Sequence, residues 1–138
     1  MYYNNQHKLD LKFGDEAEDY MKPNIELLLN LQLIKTKGNC RYDYYDEEKN
    51  NIIELKSRRN KKNQYATTLI PSSKWFCLKK LAEKNKNVYY VFNFTDKFCY
   101  FKYKIGEDFT ETFITRRDRG KIEKFKHIEI PIDILIDF

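Results

Sequence analysis

With only three cysteines, two histidines, three prolines and four glycines among 138 residues, the chain lacks the material for several kinds of protein. Cys40, Cys77 and Cys99 are odd in number and widely spaced, which excludes a disulfide framework and the paired spacing of a zinc ribbon. Reduced thiols in an intracellular, cytosol-like compartment fit that usage. With His7 and His127 the sole imidazoles, a metal would have to be held by oxygen. No apolar run approaches the roughly 20 residues that a bilayer crossing needs, and the polar opening MYYNNQHKLDLK has no signal-peptide core, so no membrane association is expected. Scarce glycine and proline leave no linker and no repeat boundary. One domain over residues 1–138 is expected.

What the chain has is rings and charge. Eleven Tyr and ten Phe, 41% hydrophobic and 34% charged residues describe a folding globular protein. The net charge of +5 and a pI near 9.0 suit a polyanionic partner such as nucleic acid. Codon bias in an AT-rich genome would enrich the same Lys, Asn, Ile, Tyr and Phe, so charge alone leaves both explanations standing.

The spacing Phe13, Ala17, Met21, Ile25, Leu28, Leu31 predicts a helix over 13–33, with Pro23 kinking or dividing it. Residues 33–37, ended by Gly38-Asn39, read as a short strand. Residues 41–45 and 51–57 read as a hairpin around the polar DEEKNN. Ser72-Ser73 offers an N-cap for a helix over 74–84, with Trp75, Leu78, Leu81 and Ala82 on one core-facing side. Residues 88–94 and 98–104 form a second hairpin, and strands are expected at 113–115 and 125–130. The order is that of an α/β layer with a mixed sheet.

Alternation along a strand puts Glu54 and Lys56 on one face, about 7 Å apart. If residues 47–50 form the loop, Asp46 pairs with Asn51 and Asp43 falls opposite Glu54. Facing carboxylates flanked by Tyr and Ile are destabilising unless neutralised. A hard divalent ion, Mg²⁺ or Mn²⁺, held by Asp43, Glu54 and the Leu55 carbonyl would do so. Asp46 is the alternative ligand, nearer the turn and on the opposite face. The plain alternative is two solvated acids, with Lys56 merely pairing Glu54.

A strand Asp, a hairpin and then E-x-K resembles the PD-(D/E)xK nuclease superfamily. "GDEAEDY" at 14–20 with "IIELKSRR" at 52–59 is similar in particular to Holliday-junction resolvase-like small nucleases of phages and large DNA viruses; "TTLIPSSKW" and "FNFTDKFCYF" are similar to virus-encoded members. The resemblance covers about residues 13–103, and Tyr42 stands where many members have Pro. It implies a restriction-endonuclease-like core of helix, three-stranded meander, helix and strand, to which the strands expected at 113–115 and 125–130 would add a C-terminal hairpin. It places Glu18, four residues after Gly14, at the metal. Helical phase alone puts Glu18 at the margin of the buried stripe, where helix-dipole complementation would also account for it.

The implied activity is Mg²⁺-dependent endonucleolytic hydrolysis of DNA, double-stranded or branched, with Asp43, Glu54 and Lys56 catalytic. A resolvase would be expected to act as a homodimer, since two symmetric cuts need two sites. Arg58, Arg59, Lys61 and Lys62 directly follow the motif and would meet phosphate, as would Lys74 at the second helix and the cluster Arg116, Arg117, Arg119 with Lys121. Tyr65, Thr67 and Thr68 are further candidates for phosphate contact. A non-catalytic nucleic-acid-binding module and an RNA endonuclease on the same fold are the alternatives.

Overall fold

The computed structural model describes residues 2–37, 42–117, 120 and 122–138. The expected strand end at Gly38-Asn39, the strand start at Arg41, and Cys40, Arg119 and Lys121 lie outside them.

Helix α1 (Tyr2–Leu29) begins well before the expected residue 13 and ends earlier than expected. Its stop is set by Asn30, whose left-handed φ of 54° suits an amide side chain at a helix C-terminus. The Leu31 amide bonds back to the Glu26 carbonyl at 3.2 Å, and the Leu33 amide to Glu26 Oε2 at 2.8 Å. Pro23 does not divide the helix. Its ring is on the exposed side, where water can take the carbonyl it leaves unbonded, while Ala17, Met21 and Ile25 pack continuously on the other side.

Strands β1 (Ile34–Lys35), β2 (Tyr44–Tyr45) and β3 (Asn51–Ser57) form an antiparallel meander. The pairs Tyr44↔Ile53 and Tyr45↔Ile52 carry the register in which Asp46 meets Asn51; at Asp43 the pairing slips by one residue from the expected partner Glu54, the Asp43 amide bonding the Ile53 carbonyl. The turn closes through Lys49, at φ 57°, whose amide bonds the Asp46 carbonyl at 2.9 Å.

From β3 the chain crosses over through a 3-10 turn (Lys62–Gln64), β4 (Thr67–Pro71) and α2 (Ser72–Glu83) to β5 (Asn87–Asn93), which pairs parallel to β3 with Glu54 beside Tyr90. Sequence periodicity did not give β4. Ser72 lies inside α2 rather than capping it: Pro71 holds the cap position and no side chain bonds the first turn. Strand β6 (Phe98–Lys102) returns antiparallel to β5, β7 (Glu111–Arg116) and β8 (Glu123–Pro131) form the C-terminal hairpin, and β9 (Ile136–Asp137) closes on β6. The result is a mixed six-stranded sheet, β1-β2-β3-β5-β6-β9, and a small second sheet, β4-β8-β7.

The large sheet separates two cores. Met21, Ile25, Tyr44, Ile53, Leu55 and Val91 pack on the α1 side. On the other side Trp75, Leu78, Ile52, Tyr90, Phe92 and Phe101 pack with Ile70, Ile128 and Ile130 of the second sheet. Trp75 stacks on Tyr90 at 5.5 Å, so Trp75, Tyr90, Phe92 and Phe101 are core rather than a base-stacking platform. This is the restriction-endonuclease-like core of helix, meander, helix and strand.

Candidate active site

Strand β2 is two residues long, so the meander opens into a notch beside Glu54 and Leu55. Asp43 sits at that opening. Its amide bonds the Ile53 carbonyl at 2.9 Å, and its carboxylate accepts the Leu55 amide at 2.7 Å where a backbone partner would otherwise be. Within a strand the amide and carbonyl of one residue point to the same neighbour, so the Leu55 carbonyl faces the Asp43 side as well.

Glu18 of α1 and Glu54 of β3 both act on the carboxyl of Asp43, which stands just before β2. Helix α1 is tied down locally: the Tyr44 hydroxyl donates to the Glu18 carbonyl, and Lys35 lies 3.3 Å from the Glu18 carboxylate. Glu54 is 1% exposed, on the α2 side of the sheet among Ile52, Trp75 and Tyr90. Lys56, two residues on, lies 3.2 Å from Glu54 Oε2, and Lys74, in the first turn of α2, 2.8 Å from the same oxygen.

Burial governs the protonation of this cluster. It raises Glu54 to about 7, with Asp43 adding to the rise while Lys56 and Lys74 oppose it. It raises Asp43 to about 6, helped by Glu18 and opposed by the Leu55 amide. Lys56 is pushed down, again by burial first, with Glu54 working against the shift. For Lys74 burial also acts downward, yet the charge and hydrogen bond of Glu54, with Asp43 behind it, prevail and its pKa is raised.

Glu54 Oε2 faces the Lys74 ammonium at 2.8 Å and the Lys56 ammonium at 3.2 Å, while Oε1 is buried without a hydrogen-bond donor. An oxygen set of Asp43, Glu54, Glu18 and the Leu55 carbonyl is what a hard divalent ion takes. Among the described residues no three His, Cys, Asp or Glu side chains stand close enough to enclose an ion as placed. The two ammonium groups against Glu54 supply its countercharge in this arrangement.

The alternative acid Asp46 is used by the hairpin itself, accepting from the Asn51 amide at 3.0 Å and its side chain at 2.9 Å. The basic run after the motif disperses. Arg58 turns inward to β4, donating to the Leu69 carbonyl and toward Thr68 Oγ1 at 3.4 Å. Arg59 lies over the Phe13 ring at 4.4 Å and reaches Asp10 at 3.3 Å. Lys62 pairs with Asp137, and its amide bonds Asp96 at 2.9 Å. Lys61 and Arg117 are exposed, and Arg116 closes β7. Thr68 is buried against Arg58, Thr67 is half-buried and Tyr65 is exposed.

His127 had no role in the sequence reading beyond its rarity. Paired with Pro71 at the start of α2, it is lowered in pKa by burial first and then by the charges of Arg58 and Lys56. Its nearness to the site depends on the β4–β8 pairing, which no local pattern announces.

A family model described as "Phage putative PDDEXK endonuclease" matches residues 11–137. No curated protein and no solved structure gave a match.

Proposed function

The chain belongs to this phage PDDEXK endonuclease family and is a nuclease, and from that premise we propose that it is a metal-dependent DNA endonuclease whose catalytic groups are Asp43, Glu54 and Lys56. The observation that carries the reading is the carboxylate of Glu54, 1% exposed, which interacts with Asp43 and has the Lys56 ammonium 3.2 Å away.

Asp43, Glu54, the Leu55 carbonyl and Glu18 would hold Mg²⁺ or Mn²⁺, which when bound supplies Lewis-acid activation of the phosphodiester and of water. The residues themselves do the rest. The Leu55 amide fixes Asp43, and the packing of Ile52 and Tyr90 fixes Glu54. Lys56, its pKa lowered by burial, orients the attacking water and lends charge to the pentacovalent transition state. Lys74 approaches the same carboxylate from α2 and would pass to the scissile phosphate once Glu54 has another countercharge. Arg59 and Lys61 border the notch as backbone contacts.

The test is cleavage of plasmid and four-way-junction DNA with Mg²⁺, with EDTA, and by the Glu54→Gln variant. Cutting by the wild type with Mg²⁺ alone is expected. Equal cutting by the variant, or DNA binding with no cutting under any metal, would overturn the reading. Parallel digests of RNA decide the nucleic acid, and preference for the junction over linear duplex decides whether branched DNA is the substrate.

A further inference from the structure

We infer that the hydroxyls of Tyr20 and Ser57, held by the buried amide of Asn93, form an uncharged clamp for a backbone phosphate of the DNA, next along the strand from the phosphate that is cut. The inference rests on the nuclease reading for the identity of its ligand.

The clamp is assembled from three elements. Ser57, directly after Lys56, ends β3 and pairs with Asn93, which ends β5. The Asn93 side-chain nitrogen donates to the Tyr20 hydroxyl of α1 at 2.6 Å and to Ser57 Oγ at 3.3 Å. Asn93 is 7% exposed, so its amide is held in place, whereas Tyr20 is 52% exposed and Ser57 half-buried. A hydroxyl that accepts a hydrogen bond still has its own proton to give. Among the described residues neither hydroxyl donates to another group, and no carboxylate hydrogen-bonds either one. Two donors polarised by a third group, with no negative charge on them, suit the oxygens of a phosphodiester.

Register places the clamp next to the chemistry. Side chains alternate along β3, so Ser57 shares the α1 face with Ile53 and Leu55, while Glu54 and Lys56 take the other. The Leu55 amide faces Asp43, and by the same alternation the Ser57 amide opens on that side, past Ile53, the last residue of β3 that pairs with β2. Ser57 stands two residues beyond Leu55, about 7 Å along the strand, a step comparable to that between neighbouring phosphates of one DNA strand. Phe13 and Tyr20, seven residues apart, share a side of α1, and Arg59 lies over the Phe13 ring at 4.4 Å. The clamp therefore stands between the catalytic groups of β3 and the exposed Arg59, on the path from one to the other.

The experiment measures binding in EDTA, so it does not depend on cleavage. A short labelled DNA duplex is titrated over a range of salt against the wild type, Tyr20→Phe, Ser57→Ala and Tyr89→Phe. The last removes a hydroxyl on the same face of β5, four residues before Asn93. Thermal midpoints report folding. An uncharged contact releases no counterion, so Tyr20→Phe and Ser57→Ala should each lose about threefold to tenfold in affinity while keeping the wild-type salt slope. Tyr89→Phe should bind like the wild type. Should Tyr20→Phe fail to fold, Ser57→Ala carries the test, because it leaves the Asn93–Tyr20 bond in place. Folded variants with wild-type affinity would show that the hydroxyls only tie α1 to the sheet, and a reduced slope would show that the loss acts through neighbouring cations; either result overturns the clamp. These losses in a protein that cuts nothing under any metal would overturn the nuclease reading and leave the phosphate clamp standing.

Discussion

Two clusters in this protein are built from the same parts, and their acids behave oppositely. Near the C-terminus Asp137 gathers Lys62, Lys97 at 3.2 Å and the Cys99 thiol at 3.2 Å. In the notch Glu54 gathers Lys56 and Lys74 at similar distances. Asp137 is exposed, and its partners, led by Lys62, hold its carboxyl well below the usual range. Glu54 is sealed, and burial lifts it to about 7 against the pull of two ammonium groups. Water decides which effect wins: with solvent present pairing is cheap and stabilising, and without it the charge itself is the cost. A surface cluster of this kind closes a fold, while a desolvated one is kept for a counterion that arrives later.

The largest effect expected from this contrast is on cleavage. Glu54→Gln keeps size and burial while removing the negative charge, and cleavage with Mg²⁺ should fall by at least about a thousandfold. Binding of the duplex in EDTA should persist or tighten, because a carboxylate facing phosphate is gone. Asp137→Asn should cut DNA like the wild type. Comparable losses in both variants would mean that the two clusters do not differ as argued.

Next in size is the exchange of countercharges at Glu54. Lys74 competes for the carboxylate that a divalent ion needs, so Lys74→Gln should lower the Mg²⁺ concentration at half-maximal rate. It should also reduce the rate at saturating Mg²⁺ by about tenfold to a hundredfold, through the lost cation at the phosphate. A metal titration of both proteins separates the two effects. A raised Mg²⁺ requirement would show that Lys74 supports ion binding instead of opposing it.

Thermal stability should reveal the same cost. Glu54 and Asp43 have folded values of about 7 and about 6 against ordinary values of 4.5 and 3.8. Between those limits the folded protein holds more protons than the unfolded chain, so the stability they contribute is present at low pH and lost as pH rises through about 6 to 7. The metal-free protein should melt several degrees higher at pH 5 than at pH 7.5, and Mg²⁺ should restore more at pH 7.5. Glu54→Gln should flatten the dependence. Asp137 is shifted the other way, with stability lost only as pH falls below its ordinary 3.8, and does not enter this window. Lys56, lowered by burial, acts with opposite sign toward the alkaline side. A midpoint that rises from pH 5 to pH 7.5 without metal would contradict the cost assigned to the buried acids.

Much of this was legible because it is local. A four-residue polar loop between two aromatic or β-branched runs fixes a hairpin register, and the register brings Asp43 to the level of Ile53, one residue from Glu54. The third acid, Glu18 four residues after Gly14, came from the family resemblance, helical phase alone leaving it at the margin of the buried stripe. Long-range pairing left no such mark. Strand β4 is five residues ending in a proline, and its partner β8 lies more than fifty residues away, so the pairing of His127 with Pro71 left no local sign. The sequence marks Lys74 as a DNA contact, and that it faces Glu54 follows from the β3–α2–β5 crossover. Helix α1 also ran on through the proline, where the packing of Ala17, Met21 and Ile25 overrides propensity.

The basic run supplies the smallest effect and divides two adjacent arginines. Their side chains leave β3 in opposite directions: Arg58 into β4, where burial lowers its pKa against the pull of Glu54, and Arg59 out over Phe13. Arg59→Gln removes one exposed cation with a weak surface pair, so the thermal midpoint should stay put while duplex affinity drops a few-fold and the salt slope by about 1. Arg58→Gln leaves the Leu69 carbonyl short of its donor at a buried strand edge, which costs about 1–3 kcal/mol of stability with little change in the salt slope. Measured together, the pair shows whether a charge next to the motif meets phosphate or holds the second sheet. A steep fall in salt slope for Arg58→Gln with an unmoved midpoint would reverse the assignment, because only a solvent-facing guanidinium releases counterions from DNA.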